Sequence, residues 1–224
     1  MIIMFNNVDN SSTTNDSFLK SQVLARAGFL ASIPSSTITS AVNMIVGVGA
    51  GFATIVTGGK CSSSFRLAMD SLDNSQKTVS VLYMNFLKTL NPQARFVNHS
   101  KAFITADGDG FITNQISTAL KALALNYLSS ENVFKRHIAS RLTYALLAIS
   151  SVVTRVADGI IGSVAAVLSL LTLGKVESMN NLAYRGLQIP GIIKDLFYCA
   201  AKIINPWTGN QQLFIQQYPS TIGE

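Results

Sequence analysis

From residue 19 onward the hydrophobic pattern is helical. Leu19, Val23, Leu24, Ala27, Phe29 and Leu30 crowd together at helical spacing, and Val133, Ile138, Leu142, Ala145 and Ile149 do the same later. Each of these helices is expected to end at a Ser-rich joint, with Pro34 placed to start the next helix in the first case. The helices after the joints read AVNMIVGVGAGFATIV and RVADGIIGSVAAVLSLLTL. They end at Gly58-Gly59 and at Gly174, each with a Lys directly after, which suits the negative end of a helix. A third segment is expected to break at Asp73-Asn74-Ser75 and at Gln188-Ile189-Pro190-Gly191, then run to a shared Asn-Pro. Residues 114–129 predict one more helix, with Ile116, Leu120, Leu123, Tyr127 and Leu128 on its packing face.

The chain repeats itself. Residues 26–72 set above residues 141–187, an offset of 115, give 14 identities in 47 ungapped positions. Chance at this composition gives roughly three or four. Gly47 falls on Gly162, Gly59-Lys60 on Gly174-Lys175 and Leu72 on Leu187. After a one-residue deletion Lys88 meets Lys202 and Asn91-Pro92 meets Asn205-Pro206. The expected fold is therefore all-α, with two tandem helical repeats at about 19–92 and 133–206. As domains these are a polar leader (1–17), repeat one (18–94), an insert (95–131), repeat two (132–207) and a tail (208–224).

Only 12% of the 224 residues are charged, and the mean hydropathy is +0.35. Such a chain has too little charge to cover a large surface in water. Residues 41–58 and 159–174 carry no charge at all. Their lengths, about 27 and 24 Å as helices, fall just short of a hydrocarbon layer of about 30 Å. Gly47, Gly49 and Gly51 bare one face of the first helix for close helix packing, and Gly162 does so in the second. Arg155 and Asp158, three apart, can pair on one helix face at the edge of the apolar run. The net charge of +6 fits anionic lipid headgroups. Scattered Lys and Arg without interleaved aromatics argue against nucleic acid.

Candidate chemistry is sparse. The stretch ADGDGFITNQI resembles a calcium loop, but with Gly110 at the sixth position Thr105 and Ile116 occupy the first and last ligand places. Phe103-Ile104-Thr105 and Phe111-Ile112-Thr113 around an Asp-Gly turn read instead as a short β-hairpin in the insert. TIVTGGKC lacks the first Gly and the hydroxyl of a phosphate loop. His99 and His137 are isolated, and Cys61 and Cys199 are expected to be buried thiols. No catalytic, cofactor or metal site is expected.

The second repeat resembles a group of uncharacterised chlamydial proteins, through Thr154-Arg155-Val156-Ala157-Asp158, Leu173-Gly174-Lys175, Tyr184-Arg185-Gly186-Leu187-Gln188 and Asn205-Pro206-Trp207. The resemblance covers about residues 140–209 and implies an intracellular bacterial parasite. It also implies secretion toward a vacuole membrane, for which the Ser- and Asn-rich leader suits a type III route. Two readings follow. One is a non-enzymatic membrane-associated helical protein acting through helix packing with lipid or a protein partner, with a secreted effector as the role the resemblance implies. The other is a soluble oligomeric scaffold, cytoplasmic, with its extra apolar surface buried between copies.

Overall fold

The structure, a computed structural model, describes residues 19–96 and 110–209. The polar leader, the first hairpin arm Phe103-Ile104-Thr105, Asp107, Asp109 and His99 lie outside the described residues. Those described form six α-helices: α1 (Ala25–Val56), α2 (Ser62–Leu90), α3 (Ile112–Leu128), α4 (Ser140–Leu171), α5 (Glu177–Gly186) and α6 (Gly191–Ile204). α1 packs on α2 as a hairpin, and α4 packs on α5 and α6 as a second one. The hairpins meet through α2 against α6 and α5, and α3 lies along α4.

Element boundaries keep the register of the sequence alignment. π-Helical turns at Leu19–Leu24 and Lys135–Ala139 lead into α1 and α4, whose first residues are 115 apart, as are their last. Both helices end in the same ladder: Gly59 N–H donates to Thr54 O and Gly174 N–H to Ser169 O, each at 2.8 Å. The chain turns there through left-handed backbone at Gly58-Gly59 and at Leu173-Gly174. Past the final helices, the side chains of Asn91 and Asn205 accept from the backbone N–H two residues on, of Gln93 and Trp207. These closing turns dock reciprocally. Thr208 donates to Gly59 O at 3.1 Å across one junction, and Asn91 donates to Leu173 O at 2.7 Å across the other. Thr208, assigned to the tail from sequence, is thus part of the fold.

Four expectations are corrected. The Ser-rich joints do not interrupt the helices: α1 runs through Pro34 and α4 through Ser150-Ser151. Ser32, Ser35, Thr37, Ser150 and Thr154 turn their hydroxyls back onto carbonyls three or four residues earlier, so helical backbone accommodates them. α2 is likewise continuous through Asp73-Asn74-Ser75, whereas the second hairpin does break before Gly191, where Pro190 cannot donate. Phe111-Ile112-Thr113 is not a β-arm: Phe111 caps α3, and Ile112 and Thr113 begin it. Finally, α3 packs Leu128 and Leu120 into the core as expected, but also buries Thr113, Ser117 and Ala124 and leaves Ile116 and Leu123 exposed. Its packing face is rotated from the most apolar stripe.

Candidate membrane-facing surface

That rotation recurs across the molecule. Among the described residues the buried polar or charged side chains (19) outnumber the buried hydrophobic ones (13). Large hydrophobic side chains are exposed on every helix but α5. α4 is the extreme case. From Leu142 to Leu171 every exposed residue is Leu, Ile or Val, except Ser163. Its buried face holds Tyr144 and Leu147 near the start, which join the hydrophobic core, and otherwise Ser140, Thr143, Ser151, Thr154, Arg155, Asp158 and Ser169 with the small residues Gly159, Gly162 and Ala165. A helix of a water-soluble protein distributes these types the other way round. The outer half of α1 follows suit: from Ala41 to Val56 every exposed residue is apolar, and the buried ones are Gly47, Gly51 and Thr54.

Small inner residues let the helices approach. A Cβ on Gly162 would stand 2.6 Å from Gly186 Cα, so α4 and α5 meet backbone to backbone. Gly47 faces Leu72 and Gly51 faces the ring of Phe197, where a Cβ would come within 2.6 and 2.7 Å. Gly49, expected to join them, lies on the exposed side with nothing within 4 Å. Positions 47 and 51 are four apart and share the packing face, while 49, two residues from each, sits roughly opposite.

Arg155 and Asp158 are buried to 1% exposure, but they do not pair with each other. Arg155 donates from Nε to Asp195 of α6 at 2.9 Å and from Nη1 to Gln188 O at 3.2 Å. Asp158 accepts from the backbone N–H groups of Phe111, Ile112 and Thr113 at 3.0–3.1 Å. A carboxylate of α4 therefore caps the N-terminus of α3 from another helix, satisfying donors that have no partner within their own turn. Arg185 completes the dock, donating to Gly110 O at 2.9 Å with its guanidinium 4.2 Å from the Phe111 ring. No spacing in the chain announces this assembly beyond the Gly-Phe that follows the Asp-rich turn.

The remaining reactive groups are dispersed. Cys199 is buried, and desolvation pushes its thiol up to about 12. Cys61 is half-exposed, not buried as expected, and hydrogen bonds from the Ser63 and Ser64 hydroxyls bring its pKa down to about 7. Lys202 is 1% exposed, its Nζ donating to Pro206 O and lying 5.9 and 5.8 Å from the Tyr144 and Tyr198 ring centres. Burial brings its pKa down to about 8. His137 stacks near Trp207. No group of three or more His, Cys, Asp or Glu side chains gathers for a metal among the described residues.

No protein-family model matches the chain, and no curated protein or solved structure is similar to it.

Proposed function

We propose that this chain is a non-enzymatic, duplicated helical protein that binds a membrane with the outer faces of α1 and α4. The carrying observation is the outer face of α4, aliphatic at every exposed position from Leu142 to Leu171 but Ser163, over an inner face that past Leu147 is polar or small. Its magnitude matters. Full burial of a Leu, Ile or Val is worth roughly 1.5–3 kcal/mol, so the half-exposed outer face of α4 alone forgoes on the order of 10 kcal/mol in water. That is comparable to the whole net stability of a typical domain. Something apolar is needed there.

Lipid is favoured over a partner helix. Leu142, Leu146, Ile149, Val153, Val156 and Ile160 follow the three-four spacing of a coiled-coil seam, which is what a second reading, a lipid-independent oligomer, would use. A coiled coil flanks its seam with charges, and here the flanking exposed positions Ile161, Val164 and Leu168 are aliphatic too. α1 and α4 are long and apolar enough to cross a bilayer. Crossing would draw in α2, whose outer face carries Arg66 and Asp70, so a helix lying in the interface is the better fit. Descent from one duplicated hairpin is supported by the shared register and twin turns. Delivery by a type III route to a vacuole membrane rests on the leader and the chlamydial resemblance alone.

Vesicle flotation of the full-length chain tests the reading. It should rise with liposomes and aggregate or demand detergent without them. A monodisperse, lipid-free species that ignores vesicles sinks it, and a stable lipid-free dimer would favour the oligomer.

A further inference from the structure

The junction at the C-terminal end of α4 forms a cavity of about 480 Å³ that is open to the surface. Arg95 and Lys175 both line it, and among the described residues neither side chain is held in an ion pair or hydrogen bond. Glu177 is the one acid in the lining, which leaves the cavity positive. Its walls are fixed. The Asn180 amide donates to Arg95 O and to Gly174 O, both at 2.8 Å, and Asn91 ties the turn at Leu173. α5 begins at this cavity with no side-chain cap, and the acid of its first turn, Glu177, is the charge that offsets the positive end of the helix. Leu90 and Leu173 supply an apolar part of the lining beside Asn91 and Gln93, and Leu171 and Val176, close in sequence to Leu173, are exposed.

Resting on the membrane reading above, we infer that this cavity binds the phosphate of an anionic phospholipid headgroup. Arg95 and Lys175 hold the phosphate oxygens, and the acyl chains run onto the aliphatic face of α4. The chemistry asks for two unengaged cations beside an apolar track, and this junction supplies both. The twin junction provides an internal control. Lys60 stands where Lys175 stands here, but Gly209 takes the place of Arg95, so the second cation has no counterpart at its aligned position.

The test is binding of the full chain to phosphatidylcholine vesicles with and without phosphatidylglycerol. One double variant carries Arg95→Gln and Lys175→Gln, and a control double carries Lys60→Gln and Arg66→Gln. All four residues are exposed, so folding is spared. The site double should lose about 30-fold of its affinity for anionic vesicles, from about fivefold per cation, and the control double less than about threefold. Glu177→Gln should tighten binding severalfold. Equal losses in the two doubles, or equal binding of the unaltered chain to both vesicles, would overturn the headgroup site while leaving membrane association standing. Reversal of anionic-vesicle binding by millimolar inorganic phosphate would assign the cavity to free phosphate and also overturn it. No binding to either vesicle would remove the membrane reading, and the site with it.

Discussion

Leu173 holds a left-handed backbone, φ 49°, where its counterpart in the first hairpin is Gly58 at φ 62°. A non-glycine residue pays roughly 1 kcal/mol for that conformation. Leu173→Gly should therefore be neutral or stabilising by up to about 1 kcal/mol in thermal unfolding. Gly174→Ala should destabilise, because its φ is also positive and an added Cβ would meet Ala94 at 2.8 Å. The two cysteines differ for a different reason, solvent and hydroxyl donors. At pH 7.5 Cys61 should alkylate readily with iodoacetamide and Cys199 should stay protected until the chain unfolds, as peptide mass mapping would show. Comparable labelling of both would contradict the burial.

Helices are the scale at which glycine position decides. Gly162→Ala must part α4 from the backbone of α5 and should cost roughly 2–4 kcal/mol. At Gly47 the clash is with the side chain of Leu72, which can shift, so the cost there should be smaller. Gly49→Ala should gain up to about 1 kcal/mol, as an exposed helical glycine does. Equal effects at 49 and 162, read from denaturation curves in one detergent, would refute this assignment of faces. Asp158→Ala strips three backbone donors of their acceptor and should cost roughly 2–4 kcal/mol, with α3 loosening first in hydrogen exchange. Asp158→Asn keeps one acceptor oxygen and should cost less.

For the whole molecule, a buried amine makes stability pH-dependent. Lys202 has a folded pKa of about 8 against an ordinary 10.5, so the unfolded chain binds the extra proton between those values. Stability attributable to this group therefore rises with pH across that window. Cys199, raised to about 12, opposes it above pH 9, so the comparison must be with Lys202→Met, in which the thiol's effect cancels. At pH 7 the Met variant should be the more stable, and the gap should close by about 2 kcal/mol towards pH 9.5. A gap that does not change with pH would mean the amine is hydrated.

Period and punctuation were readable from the sequence alone. The all-helical class follows from apolar spacing, and identities such as Gly47 with Gly162 fall at the offset of 115 that also separates the ends of α1 and α4. The helix ends follow from Gly58-Gly59 and Gly174, because a left-handed cap is a local, backbone-level requirement. What the linear pattern misled was orientation. It treats apolar positions as inward, and on α3 and α4 many inward positions are instead Thr, Ser, Gly, Arg and Asp, beside a few core residues such as Leu128, Tyr144 and Leu147. The Ser-rich joints and Asp73-Asn74-Ser75 read as breaks because their side chains can compete for the backbone, yet within a packed helix they bond to it. Asp158 capping a helix 45 residues earlier, Arg155 reaching Asp195, and Arg95 beside Lys175 were decided only in three dimensions. Such contacts join residues distant in sequence, and no spacing rule within one helix can encode a partner that another helix brings.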